Sequence, residues 1–249
     1  MDSTATVVHG WLAASGLSAA AAARRAGVSA STVHRVLNGL VDPSVGTLRE
    51  IALACGVDVD LATQPLSDPG AAAAARAMLE AGYQPPADLD VVAWRGRLPR
   101  MAGSDRPVEI IRAAAAASSP LHRPGAVLFC GDVQLARVAS AGDASKGHWA
   151  ISGAAGLYLP AAAATVPAVT VLWCDDVRTV THLLADTDLR QTHRLDRAVL
   201  AVVAGEPELF TGSFADGIVR YAAPIQIILD CLAQSGAVAR DAIEEAMSW

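Results

Sequence analysis

Residues 17–39 read LSAAAAARRAGVSASTVHRVLNG, and this stretch decides the fold of the N-terminal part of the chain. Ser18 and Ser29 are residues of the kind that cap the N-terminus of a helix. Between them, Gly27 can adopt the left-handed backbone conformation that ends a helix in a tight turn. The segment therefore predicts two short helices joined by a turn, the second ending close to Gly39.

The second predicted helix has one apolar face. Val33, Val36 and Leu37 recur at the spacing of residues that share one side of a helix, so they are predicted to pack inward. The outward positions are then Ala30, Ser31, His34 and Arg35.

A further helix follows this segment. Ser44 is predicted to cap it, and Leu48, Ile51 and Ala52 are predicted to face the core. Breaks between the helical segments of residues 1–64 fall at Gly16, Gly27, Gly39 and Gly56. These residues predict a compact all-α domain.

The ordered series of caps, apolar positions and glycines from Leu17 to Val57 resembles the lambda-repressor-like (Cro/cI-type, XRE) DNA-binding domain. The resemblance implies that the second helix enters the major groove of double-stranded DNA, and that a homodimer binds two operator half-sites. The residues that it assigns to DNA contacts are Ser18, Arg24, Arg25, Ser29, Ala30, Ser31, Thr32, His34, Arg35 and Asn38. Arg35 is the foremost candidate for a base contact, because a guanidinium can make paired hydrogen bonds to guanine.

Each of these assignments has an ordinary alternative. Arg24 and Arg25 can be solvated surface charges, and Arg35 can pair with an acidic residue instead of DNA. His34 can be an exposed helix residue without a ligand, and the whole motif can serve protein contacts alone.

Composition and charge limit the kinds of partner. With 53% hydrophobic and 18% charged residues, the 249-residue chain is too apolar to remain disordered. A net charge of -6 excludes a protein that coats nucleic acid through bulk positive charge. Residues 1–64 carry four arginines against five acidic residues. DNA binding must therefore depend on a local surface.

Downstream of residue 64 the sequence pattern changes. Residues 65–87 are predicted to be a connector that contains an Ala-rich helix at 71–81, and residues 88–249 a mixed α/β domain. Predicted strands are 91–94, 126–130, 134–139, 166–174 and 195–203. Predicted helices are 108–117, 177–185, 224–234 and 237–247. The fold class is therefore an all-α domain followed by an α/β domain.

Two stretches of the second domain resemble a further family. Residues 148–158, followed by the apolar residues 167–174, and residues 221–236 are similar to AbiEi-type antitoxins of type IV toxin–antitoxin systems. The resemblance implies autorepression of an operon that also encodes a nucleotidyltransferase toxin. The alternative is that both stretches are ordinary core.

Arginines concentrate between residues 95 and 123. Asp105 and Glu109 are the acidic residues in that interval, which leaves a local net charge of +4. The six arginines are Arg95, Arg97, Arg100, Arg106, Arg112 and Arg123. Arg95, Arg97, Arg100 and Arg106 are predicted to form a second phosphate-contacting patch. A solvated, salt-bridged surface is the alternative.

Signals for catalysis, metals and membranes are weak. Gly103-Ser104 and Gly212-Ser213 lack the carboxylate pair that a nucleotidyl-transfer site would need after them. The cysteines and histidines lack zinc-ligand spacing, and the longest apolar runs are too short for a membrane span. We therefore expect a cytoplasmic protein with no catalytic residues, metal or cofactor.

These patterns together predict a sequence-specific transcriptional repressor. One open alternative is a regulator whose C-terminal domain senses a small ligand. Another is an enzyme whose active site the sequence does not reveal.

Overall fold

The computed structural model describes residues 4–87, 90–159 and 168–248. The chain divides into two compact units, Met1–Gln64 and Pro65–Trp249. The first is helical, and the second is a mixed α/β domain.

The first unit contains four described helices: α1 (Thr4–Ser15), α2 (Ala19–Arg25), α3 (Ala30–Leu37) and α4 (Val45–Ala54). Serine side chains cap three of them. Ser18 accepts a hydrogen bond from the backbone N–H of Ala21, Ser29 from that of Thr32, and Ser44 from that of Thr47. The three predicted caps are confirmed. The residues buried between the helices include Val8, Leu12, Ala22, Ala23, Val33, Val36 and Ile51.

The second unit begins with three described helices, α5 (Pro69–Leu79), α6 (Val91–Ala102) and α7 (Pro107–Ala117). Later helices are α8 (Leu135–Ala144), α9 (Ala154–Leu157), α10 (Val177–Ala185), α11 (Pro224–Leu232) and α12 (Ala237–Met247). The strands are β1 (Val127–Cys130), β2 (Trp149–Gly153), β3 (Thr170–Cys174), β4 (Arg190–Thr192), β5 (Leu200–Ala204), β6 (Phe214–Asp216) and β7 (Val219–Tyr221). Short 3₁₀ helices lie at Pro120–His122, Leu195–Arg197 and Pro207–Phe210.

Within the described residues, the seven strands form one mixed sheet in the order β4-β1-β5-β3-β2-β7-β6. Strands β5 and β3 run parallel, with Ala201 opposite Val171, and β2 runs antiparallel to β3. Every residue of β2 and β3 is buried. Such strands are covered on both faces, which explains their nearly continuous apolar sequences.

Helices cover both faces of this sheet. The Trp149 indole N–H donates to Asp143 of α8, whereas the Ser152 hydroxyl donates to Asp230 of α11. Because successive side chains of a strand alternate between faces, Trp149 and Ser152 point to opposite sides of β2. α8 and α11 therefore lie on opposite faces.

A polar network lies in this core around Asp230. Its carboxylate is buried and accepts hydrogen bonds from Ser152, from the Trp173 indole and from Gln226. Burial raises the pKa of Asp230 to about 6, although the three donors and the charge of Arg123 oppose the shift.

Several predicted elements are confirmed and others are wrong. Strand β1 and helices α7, α10, α11 and α12 lie where the sequence predicts them. The strand predicted at 195–203 is divided into a 3₁₀ turn and β5. The strand predicted at 166–174 corresponds to β3, which begins at Thr170; residues 166–167 lie outside the described residues. Residues 91–94 and 134–139, predicted as strands, belong instead to helices α6 and α8, because short apolar runs do not distinguish a strand from a helix.

The Ala-rich helix predicted at 71–81 is present as α5, but it belongs to the second unit and not to a separate connector. The Ala-rich helix α5 packs against α6 and α7, and most of its residues are buried in the second unit. The guanidinium of Arg76, which is 1% exposed, donates to both carboxylate oxygens of Glu80 and to the carbonyls of Leu209 and Thr211. Helix α5 is therefore part of the second unit's core.

Candidate nucleic-acid interface

Helices α2 and α3 form two short helices with a tight turn between them. Gly27 follows α2 with a φ of +65°, the left-handed conformation that favours glycine. Two residues later the Ser29 hydroxyl accepts the N–H of Thr32 at 3.0 Å and starts α3. The turn predicted from the sequence is therefore present.

The position of α3 is fixed from its inner side. Val33 and Val36 are 0% and 1% exposed, and Leu37 packs against the same core. The imidazole Nε2 of His9, on α1, lies 3.1 Å from the backbone carbonyl oxygen of Leu37. This contact ties α1 to the last turn of α3, and no local sequence pattern indicates it.

The outer side of α3 is open to solvent. Ala30, Ser31, His34 and Arg35 are all exposed, as the helical spacing predicts. Within the described part of the chain, the Arg35 guanidinium has neither an ion-pair partner nor a hydrogen-bond partner. Its five N–H donors are therefore free to contact a ligand.

Hydroxyl groups cluster at the N-terminal end of this face. The Ser29 Oγ lies 2.8 Å from the Ser31 Oγ and 2.7 Å from the Thr32 Oγ1. Each hydroxyl also has lone pairs and a rotatable hydrogen. The cluster sits beside the positive end of the α3 dipole, where an anion is stabilised.

The C-terminal end of α3 is internally bonded. The Asn38 amide Nδ2 donates to the carbonyl of His34 at 2.7 Å and lies 3.3 Å from the imidazole Nε2 of the same residue. This geometry makes Asn38 a helix-ending residue. For Asn38 to contact a phosphate, its amide would have to break these hydrogen bonds.

Positive charge concentrates on the same element. Residues 17–39 contain Arg24, Arg25 and Arg35 and no acidic residue, although residues 1–64 as a whole are slightly acidic. Arg24 and Arg25 are exposed at the end of α2, and Ser18 is exposed at its beginning. Arg49, on α4, contacts Asp58 at 3.4 Å. The element with the open face is therefore also the cationic part of the unit.

Residues 13–64 match the family model of a helix-turn-helix domain. This domain suggests DNA binding, and it covers the described helices α2, α3 and α4. No curated protein and no solved structure matches the chain. The resemblance of the second unit to AbiEi-type antitoxins gains no support from these comparisons.

The arginines of the second unit lie in different environments. Arg95, Arg97, Arg100 and Arg106 are exposed on or beside α6 and α7. Arg95 donates to the carbonyl of Ala77, and Arg100 to that of Gly96. Arg97 forms a 3.1 Å ion pair with Asp90 and lies over the Trp94 ring.

Arg123 does not belong with these exposed arginines. It donates to the carbonyl of Ser118 and lies over the ring of Trp173, and burial lowers its pKa. Arg123 is not among the four arginines assigned to the predicted phosphate patch, and the charge of Asp230 partly opposes the lowering of its pKa by burial.

The described residues contain no cluster of three or more His, Cys, Asp or Glu side chains able to hold a metal ion. Nor does any described helix have the length and apolarity to cross a membrane.

Proposed function

We propose that the protein is a cytoplasmic, sequence-specific DNA-binding repressor of transcription that acts as a homodimer. The observation that carries the proposal is the outer face of α3, where the free Arg35 stands on a helix held from its inner side by Val33 and Val36. The match of residues 13–64 to a helix-turn-helix domain supports it. The proposal assigns no catalytic step to the chain.

Each side chain on α3 receives a role under this proposal. Arg35 makes the main base contact, Ser31 and His34 make polar contacts of shorter reach, and Ala30 offers a methyl group. Ser18, Ser29, Thr32, Arg24 and Arg25 contact phosphates, which set the register of the helix in the groove. Asn38 contributes mainly by ending the helix.

The exposed arginines of the second unit provide additional phosphate contacts under the same proposal. Arg100 and Arg106 make no ion pair within the described residues, whereas Arg97 already pairs with Asp90. Such contacts would offset the small number of cations in the first unit.

The test is selection of binding sites from a randomised duplex library with the full-length protein. We expect enrichment of one motif in two half-sites, with centres about 34 Å or a multiple of that apart. Sedimentation of the complex should give two chains per operator. Absence of any enriched motif, or a single asymmetric half-site bound by one chain with full affinity, would contradict the proposal.

A more specific form of the proposal is that the repressor controls a toxin–antitoxin operon. Its basis is the resemblance of residues 148–158 and 221–236 to AbiEi-type antitoxins. The test is co-expression with the product of the adjacent gene. A neighbouring nucleotidyltransferase whose toxicity this chain suppresses would support the antitoxin role, and a neighbouring metabolic enzyme would count against it.

A further inference from the structure

A pocket of about 650 Å³ opens on the surface of the second unit. It lies between the C-terminal end of α5, the N-terminal ends of α7 and α11, and the last turn of α12. Pockets that hold small organic ligands have volumes of roughly 300 to 1,000 Å³. Its size is therefore suited to one small molecule.

Most of the pocket wall is apolar. Val108 and Ile111 line it from α7, and Ile225 lines it from α11. Met247 also lines the pocket, and its apolar side chain is 69% exposed. Methionine adapts its shape readily to a bound apolar group. The wall thus fits a hydrocarbon or aromatic body.

The two charged side chains at the pocket differ in availability. Both carboxylate oxygens of Glu80 accept hydrogen bonds from the buried guanidinium of Arg76, at 2.8 and 3.2 Å, so this acid is already neutralised. Arg106, by contrast, is exposed and makes no side-chain ion pair or hydrogen bond to any described residue. The free charge at the pocket is therefore positive.

The helix ends around the pocket also contribute positive charge. Helices α7 and α11 both begin at the pocket with a proline and without a side-chain cap. The first turn of α11 contains no acidic residue, whereas that of α7 contains Glu109, which does not line the pocket. The positive ends of the two helix dipoles add to the charge of Arg106.

We propose that this pocket binds a small carboxylic acid with an apolar body, whose carboxylate pairs with Arg106 and whose body lies against Val108, Ile225 and Met247. An anionic head is favoured because the only unpaired charge among the described lining residues is cationic. An apolar body is favoured because removal of its surface from water stabilises the complex. This inference does not depend on DNA binding by the first unit, and it assigns Arg106 to the ligand carboxylate in place of a DNA phosphate.

The test is isothermal titration calorimetry of the full-length protein with two anionic probes, decanoate and naphthalene-2-carboxylate, and with decan-1-ol as the neutral match of decanoate. We expect one site per chain for each anion, and at least tenfold weaker binding of the alcohol. Arg106→Gln should weaken decanoate binding about tenfold and leave decan-1-ol binding unchanged. Arg112→Gln removes an exposed arginine of the same helix that does not line the pocket, and it should have no effect.

Two further variants test the apolar wall. Val108→Trp should fill the pocket and abolish binding. Because Val108 is partly buried, Met247→Asp provides a second variant at an exposed site, where the new carboxylate should weaken decanoate binding about tenfold.

Three results would overturn the proposal. The first is absence of saturable binding by either anion up to about 1 mM. The second is equal binding of decanoate to the wild-type protein and to Arg106→Gln. The third is a wild-type dimer that Met247→Asp dissociates while no anion binds, which would make this face an interface between two copies of the chain.

Discussion

The imidazole of His9 and the backbone carbonyl of Leu37 lie 3.1 Å apart, which joins the first helix of the chain to the last turn of α3. A free carbonyl at a helix C-terminus needs a donor, and His9 supplies one from 28 residues away. Because Ser29 caps the N-terminal end of α3 and His9 bonds to its C-terminal end, the proposed DNA-contacting helix is held at both ends.

Replacement of His9 should therefore loosen α3. His9→Ala should reduce the stability of the first unit by about 1 kcal/mol and speed amide hydrogen exchange in the last turn of α3. Hydrogen exchange followed by mass spectrometry measures this directly. His193→Ala, at an exposed histidine of the second unit, is the control and should leave α3 unchanged. Unaltered exchange in α3 after His9→Ala would show that the contact does not stabilise the helix.

Two glycines inside helices should respond oppositely to alanine. A Cβ at Gly142, in α8, would lie 2.5 to 2.9 Å from three ring atoms of Trp149, so Gly142→Ala should destabilise the second unit by about 1 to 3 kcal/mol. A Cβ at Gly96, in α6, would have open space, and Gly96→Ala should stabilise by up to about 1 kcal/mol. Thermal unfolding of the two variants checks both signs. Equal effects would mean that α8 does not approach Trp149 this closely.

The Asp230 network predicts a pH dependence of stability. The pKa of Asp230 is about 6 in the folded protein, against an ordinary value of 3.8, so the folded state binds more protons than the unfolded state between these values. Its contribution to stability should therefore be fully present below about pH 3.8 and be lost as the pH rises through 6. Asp230→Asn removes the ionisable group. Gln226 can rotate its side-chain amide so that its oxygen accepts a hydrogen bond from the amide of the new asparagine.

Urea unfolding at pH 5 and pH 7.5 tests this. The free energy of unfolding of the wild type, measured relative to Asp230→Asn, should fall by roughly 1.4 kcal/mol between the two pH values, about half of the roughly 3 kcal/mol expected from well below pH 3.8 to well above pH 6. Asp230→Ala leaves three donors unpaired and should destabilise the protein at both pH values. A difference between wild type and Asp230→Asn that does not change with pH would show that Asp230 does not titrate in this range.

The arginine surface of α6 gives a prediction about salt. If it contacts DNA phosphates, the double variant Arg97→Glu and Arg100→Glu should weaken binding to all duplexes alike. It should also flatten the slope of log affinity against log salt by about 0.9 for each phosphate that the variant no longer neutralises. The control reverses Arg178 and Arg197, two exposed arginines elsewhere in the second unit, with the same change in net charge. Identical salt slopes for the two double variants would remove the patch from the interface.

The features that the sequence predicted well are those with local causes. Ser18, Ser29 and Gly27 act within three or four residues, so the caps and the turn could be read directly from the chain. The alternation of buried and exposed positions on α3 follows from helical spacing alone.

One error had a local cause. The apolar run that begins at Val91 looked like a strand because four residues are too few to show a period, whereas the buried positions of the whole helix, Val91, Trp94 and Leu98, follow helical spacing. The other missed features depend on contacts between distant residues. The contact of His9 with Leu37 and the burial of Arg123 have no local signal. The pocket could not be predicted either, since its lining residues come from four separate parts of the sequence, 79–80, 106–111, 212–225 and 246–247.

The most direct test of the account is the effect of Arg35→Ala on binding to the selected operator and to an unrelated duplex, measured by fluorescence anisotropy at one fixed salt concentration. Arg49→Ala, at an exposed arginine of the same unit that pairs with Asp58, is the control and should affect the two duplexes equally. We predict that Arg35→Ala weakens binding by about 1 to 3 kcal/mol on the operator and by much less on the unrelated duplex. An equal effect on both would reduce Arg35 to a phosphate contact, and no effect on either would contradict the placement of α3 in the major groove.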